Sequence, residues 1–151
     1  MMNYFHYSYQ CDLHEQVLKF ELATDVFRNK PYNGFWASHE DAWPRFLHVY
    51  EYGDEFDTTH RYRVDVFPEC RFLDITPKWH KRLPSQYIDE SGTYGLYLDY
   101  PEIAKDYDAV RLFVNSERWG KRRDYFSDRF DKWNLPSTVF LRQAFQLVKE
   151  Y

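Results

Sequence analysis

Among the six histidines, His6, His14, His39, His48, His60 and His80, none forms a His-x-x-x-His pair, and no Cys-x-x-Cys occurs. Zinc needs ligands that converge, so this spacing offers no metal site and none is expected. The chain carries no glycine-rich phosphate loop and no Gly-x-Ser-x-Gly elbow. Any two of its 24 acidic residues could meet as a carboxylate pair, a signal without specificity. What remains is a set of four short blocks. Phe5-His6-Tyr7-Ser8 sets a polar ring inside an aromatic stretch. Lys30-Pro31-Tyr32-Asn33-Gly34-Phe35-Trp36-Ala37-Ser38 follows, then Asp106-Tyr107-Asp108-Ala109-Val110, and last Trp133-Asn134-Leu135-Pro136-Ser137-Thr138-Val139. On a strand, residues two apart share a face, which joins His6 to Ser8 and Trp36 to Ser38.

In order and spacing these blocks resemble a group of small phage and bacterial proteins related to the ADP-ribosyltransferase superfamily. That group carries an early HYS-like strand, then KPxGLWxS, YDAI and WDxxS. The resemblance implies NAD as substrate and transfer of ADP-ribose to a macromolecular target, or hydrolysis of NAD. Cleaving the nicotinamide–ribose bond builds an oxocarbenium-like ribose, so a protein must orient the ligand and stabilise the cation. By resemblance His6 bonds the adenosine-side ribose, the Tyr7 backbone reads the carboxamide, and Ser8 shares the face of His6. Trp36 and Ser38 fall beside the nicotinamide ribose. Many active transferases place a Glu at the start of a late strand, where this chain has Asn134-Leu135-Pro136-Ser137-Thr138. Ser137 can bond a substrate there without supplying charge; Asp131 and Glu117 are the nearest acids. His6, Trp36 and Ser38 are expected to open into one cleft, with Ser137 or Asp131 at its rim. Structural roles stand beside these: His6 as a bonded core histidine, Trp36 as a core anchor, Ser38 as a helix cap.

These residues need strands to hold them. Residues 3–9 read as a first strand and Gly34–Ser38 as a second, with 28–33 as the loop between a helix over 12–22 and that strand. A helix is expected from Ala42 to Tyr50, with Pro44 in its first turn. His60–Phe67 and Phe72–Ile75 read as strands, and 77–84 as irregular or a single helical turn. Tyr100–Tyr107 reads as a helix opening on Pro101, Asp108–Asn115 as a central strand and Ser137–Leu141 as the last strand. A closing helix would present Ala144, Phe145, Leu147 and Val148. The whole is a single α+β domain over 1–151: a mixed, largely antiparallel, split β-sheet flanked by helices, as in ADP-ribosyltransferases.

Composition bounds the rest. At 151 residues, 44% hydrophobic and 29% charged, the chain is globular. Its 14 Tyr, 13 Phe and 5 Trp supply a core and leave rings for grooves and interfaces. A net charge of −4 opposes capture of nucleic acid, although spare rings suit single-strand stacking. The start, MMNYFHYSYQ, lacks a basic stretch followed by an apolar run and is not expected to act as a signal peptide, and no apolar run approaches a membrane span. A cytoplasmic protein with free thiols is expected, inside a bacterial host if phage-encoded. The reading that competes with an enzyme is a catalytically inactive module, or phage-type inhibitor, that docks a partner protein through exposed aromatics.

Overall fold

The computed structural model describes residues 2–8, 13, 18–25, 29–44, 60–76, 79–92, 95–112 and 137–151. Its strands are β1 Tyr4–Ser8, β2 Glu21–Asp25, β3 Lys30–Asn33, β4 Phe35–His39, β5 His60–Val66 and β6 Phe72–Ile75. They continue as β7 Ile88–Gly92, β8 Gly95–Leu98, β9 Ala109–Leu112, β10 Ser137–Phe140 and β11 Phe145–Lys149. Seven of them form one sheet in the order β11-β5-β1-β4-β10-β9-β6, while β2–β3 and β7–β8 pair separately. Only β6 and β9 run parallel; the other pairs of the large sheet are antiparallel. The mixed, largely antiparallel sheet is therefore as expected, and the strands of His6, Trp36, Val110 and Val139 all take part, side by side.

Alternation explains how the sheet is covered. Tyr62 and Val64 of β5 are buried while Arg61, Arg63 and Asp65 between them are half-buried. All four residues of β10 are buried, because this strand has core on both sides. One core packs Tyr4, Phe35, Ala37, Val64, Ala109, Phe140 and Phe145, with Leu13, Leu18 and Phe20 against them. The other, across the sheet, packs Leu73, Ile75, Val110, Leu112 and Val139 against Trp79, Leu98, Tyr100 and Ile103. We call these face 1 and face 2.

The segment between β6 and β9 supplies the cover of face 2 through two helical turns, Trp79–Arg82 and Tyr100–Ile103, and the β7–β8 hairpin. Asp99 caps the second turn by accepting from the Glu102 amide at 3.2 Å, and Pro101 sits in its first turn, as expected. Residues 42–44 are helical, consistent with the expected start.

Several expectations fail. Among the described residues the helices are single turns, so sheet dominates. The expected helix over 12–22 does not reach its end: 18–20 are irregular and Glu21–Asp25 is strand, pairing with a β3 drawn from the expected loop 28–33. Leu18, Phe20 and Leu22 are spaced by two, with Lys19 and Glu21 between them, a strand signal inside a segment whose apolar residues also fit a helix. The closing helix is strand β11 instead, pairing Phe145 with Val66 and Lys149 with Tyr62. Phe-Gln-Leu-Val suits either period, and the open edge of β5 decides the matter by taking up its backbone groups. Strand β9 lies second from an edge; β4 is central.

Candidate functional site

Side chains directly opposite in an antiparallel pair share a face. Strand β1 meets β4 with Tyr4 opposite His39 and Phe5 opposite Ser38. Odd residues of one strand thus face even residues of the other, and His6 lies with Phe35 and Ala37 on face 1. Trp36 and Ser38 lie on face 2, with Phe5 and Tyr7. The expected cleft of His6, Trp36 and Ser38 does not exist, because a sheet stands between them. Period two paired residues correctly within each strand; the register across strands set the two pairs on opposite sides.

On face 2, Ser38 stands directly opposite Ser137 of β10, as a buried cross-strand pair and not at the rim of a cleft. Both serines are buried, and Ser38 Oγ donates to the Phe5 carbonyl at 3.3 Å. Trp36 is half-buried against the face 2 core, with Lys30 Nζ 5.0 Å from its ring centroid. It is a packed anchor with a cation over it, not an open stacking platform. Tyr7 interacts with Arg61, whose guanidinium lies between Phe5 at 4.9 Å and Tyr151 at 4.8 Å. Burial raises the Tyr7 phenol above its ordinary value, and Arg61 partly offsets this. Asp131, Glu117 and Trp133 lie outside the described residues.

On face 1, His6 forms one wall of a cleft of about 370 Å³, lined by His6, Ser8, Leu13, Leu18, Lys19, Asn33, Gly34 and Phe35. The imidazole stacks on Phe35, centroids 4.4 Å apart. Its Nδ1 lies 2.7 Å from the Trp36 carbonyl. A carbonyl only accepts, so Nδ1 is the donor and the neutral ring keeps Nε2 as an acceptor. Burial lowers the His6 pKa, and the bond to Trp36 only partly opposes that, so the ring is neutral at pH 7. Ser8 follows two residues on, opposite His60 of β5. Lys19 and Asn33 were not singled out as site residues: Lys19 sat in an expected helix, and Asn33 inside the KPYNGFWAS block carried no role.

A second polar cluster, also missed, crosses face 1. Asp74, Arg111 and Thr138 stand side by side on β6, β9 and β10. Arg111 donates twice to Asp74, at 2.6 and 3.0 Å, and once to the Tyr4 hydroxyl at 3.0 Å. His39 Nε2 is 2.7 Å from Thr138 Oγ1. Burial, with nearby Arg111, lowers the His39 pKa to about 4 despite Glu40 and Asp74. Thr138 is wholly buried, while Asp74 at the other end of the row is exposed and Arg111 between them half-buried, so the row ties three strands together. Cys70 is a free thiol that burial, aided by Asp108, pushes up to about 12, which leaves it unreactive.

Among the described residues no group of three or more His, Cys, Asp or Glu is placed to hold a metal ion, and no helix is long and apolar enough to cross a membrane. No family model, curated protein or solved structure matches this chain.

Proposed function

We propose that this chain binds NAD in the His6 cleft of face 1, through an ADP-ribosyltransferase-like fold, and uses it for ADP-ribosyl transfer or hydrolysis. One observation carries the reading: His6, the residue that the resemblance assigns to a ribose, lines a cleft with its tautomer held by the Trp36 carbonyl. A neutral imidazole held this way offers an acceptor to a ribose hydroxyl. Ser8 and Asn33 add further polar contacts, Leu13 and Leu18 apolar surface for a base, and the volume lies in the range of small-molecule pockets. Trp36, Ser38 and Ser137 leave the ligand site in this proposal and serve the packing between β4 and β10. The acid that stabilises the ribose cation would be Asp131 or Glu117.

A second reading, a module that docks a partner protein through face 2, is favoured by the half-buried Phe5, Tyr7 and Arg61 and the exposed Tyr151 beside them. Calorimetry separates the two. His6→Ala should weaken NAD binding about three- to tenfold, the worth of one neutral hydrogen bond. Trp36→Ala should lower the melting temperature yet bind NAD as the parent does, because its side chain lies across the sheet. A parent chain that takes up no NAD at millimolar concentration would leave the docking reading in possession, and NAD turnover followed by nicotinamide release distinguishes binding from catalysis.

A further inference from the structure

The core on face 2 packs against β6, β9 and β10, while the same face of β1, β5 and β11 keeps its side chains partly open to solvent. Along β5 that face carries Arg61, Arg63 and Asp65, and Glu150 stands beside them just past the end of β11. The four charges pair among themselves. Arg63 donates to both Asp65 oxygens, at 2.6 and 3.1 Å, and lies 3.7 Å from Glu150, which meets Arg61 at 2.8 Å. Even so, the Arg63 side chain remains 41% exposed and that of Asp65 35%. On one side of this row the register sets Phe5 opposite Arg63 and Tyr7 opposite Arg61, and on the other it sets Val148 opposite Arg63. Phe5 and Tyr7 are half-buried on an inner strand of the sheet, and Tyr151, 53% exposed, lies over Arg61. A solvated sheet face ordinarily carries polar residues at such positions, so rings around a paired ionic row mark a contact surface.

We propose that this half of face 2 is a contact between two copies of the chain, related by a two-fold axis that crosses β5 between Arg63 and Asp65. The charge pattern selects the occupant. Two arginines and two carboxylates leave no net positive field for the phosphates of a nucleic acid or an anionic membrane. Arg63 and Asp65, opposite in sign and equally far from that axis, are instead complementary to themselves: a half-turn lays Arg63 of each copy against Asp65 of the other. Each Asp65 oxygen accepts one bond from Arg63 and has a lone pair left, so a second guanidinium fits without breaking the first pair. Because both charges enter already paired, burying them leaves neither without a partner. The two β5 strands then run antiparallel across the contact, and sheets laid face to face keep their strands within about 30° of each other. Phe5 and Tyr7 supply the apolar area beside the ionic row. The proposal rests on the docking reading and deepens it by naming the partner; it leaves the His6 cleft on face 1 free.

Sedimentation of the intact chain tests this. At about 100 µM the parent should sediment as a dimer, as a Kd in the micromolar range requires. Arg63→Asp and Asp65→Arg should each raise that Kd about ten- to hundredfold, since two attractive contacts become two repulsions. An equimolar mixture of the two variants should dimerise again, because the reversed charges then face each other. Each variant should keep a urea midpoint close to the parent's, since a half-exposed ion pair contributes little to folding, and this separates lost association from lost structure. A parent that sediments as a monomer overturns the proposal; if that monomer retains a polythymidine strand, the face belongs to nucleic acid. Dimers that persist in both variants place the association elsewhere and overturn it too, as does a mixture that stays monomeric. None of these outcomes bears on NAD calorimetry, so a failed self-contact leaves docking of a different protein to be judged by that measurement.

Discussion

Gly34 stands where the β3 ladder gives way to β4, under the side chains of β10. A Cβ placed there would come within 2.3 Å of Val139 Cγ2, and within 3.2 Å of both the Phe140 carbonyl and Pro31 Cγ. The first distance requires Val139 to move, and Val139 is fully buried. Gly34→Ala should therefore destabilise the chain by about 1–3 kcal/mol, the usual range for overpacking, read as a lower urea midpoint with unchanged slope. The sequence shows a glycine inside KPYNGFWAS and invites a turn reading; that Val139 presses on it depends on β10 arriving from more than a hundred residues away, which no local pattern records. Asn29 is a comparable residue. It holds φ at 57°, and its side chain accepts from the Leu98 amide at 2.8 Å while its carbonyl accepts from the Tyr100 hydroxyl at 2.7 Å. Asparagine tolerates that left-handed backbone, and its partners lie in the cover of face 2.

At the scale of elements, β11 separates local pattern from tertiary outcome. Phe145 is wholly buried, with ring centroids 4.8 Å from Phe35 and 4.7 Å from Phe140, whereas Gln146 next to it is exposed. Phe145→Ala should cost about 3–5 kcal/mol and Gln146→Ala close to nothing, measured by chemical denaturation. The strands with clear alternation or strong β-branching, β1, β4, β5, β6, β9 and β10, were legible because each carries its own period. Elements β2, β3, β7, β8 and β11 were not. Their apolar residues suit two periods, or they sit beside turn-forming residues, and pairing with a partner strand supplies the hydrogen bonds that choose between conformations.

For the whole molecule, acid is the informative perturbation. His39 is buried between β4 and β10 with a pKa of about 4, against 6.5 for an ordinary imidazole. Between those values the unfolded chain binds more protons than the folded one, so stability is full above about pH 6.5 and falls as pH drops toward 4. The loss from this group is on the order of 3 kcal/mol, and the lowered pKa of His6 acts in the same direction. His39→Gln, which keeps a hydrogen-bonding group for Thr138 but does not titrate, should flatten the decline of the urea midpoint over that pH window. Asp108 adds to acid sensitivity at lower pH. Burial opposes its ionisation, but bonds from the Arg71 amide and guanidinium, with Arg142 nearby, hold its pKa below the usual value. That share of stability is present above the ordinary carboxylate range and is lost as pH falls through the lowered value.

The sequence by itself determined what short-range physics controls. Alternation marked the strands that build the sheet, spacing by two joined His6 to Ser8 and Trp36 to Ser38, and Pro101 marked a helical start. Tertiary structure alone decided which of those pairs share a face, because a shift of one residue between β1 and β4 would exchange the two sides of the sheet. It likewise brought Lys19 and Asn33 to His6, joined His39 to Thr138, and turned the final segment into an edge strand. Each of these outcomes depends on packing between residues distant in the chain, where local preference is weak and burial with backbone pairing prevails.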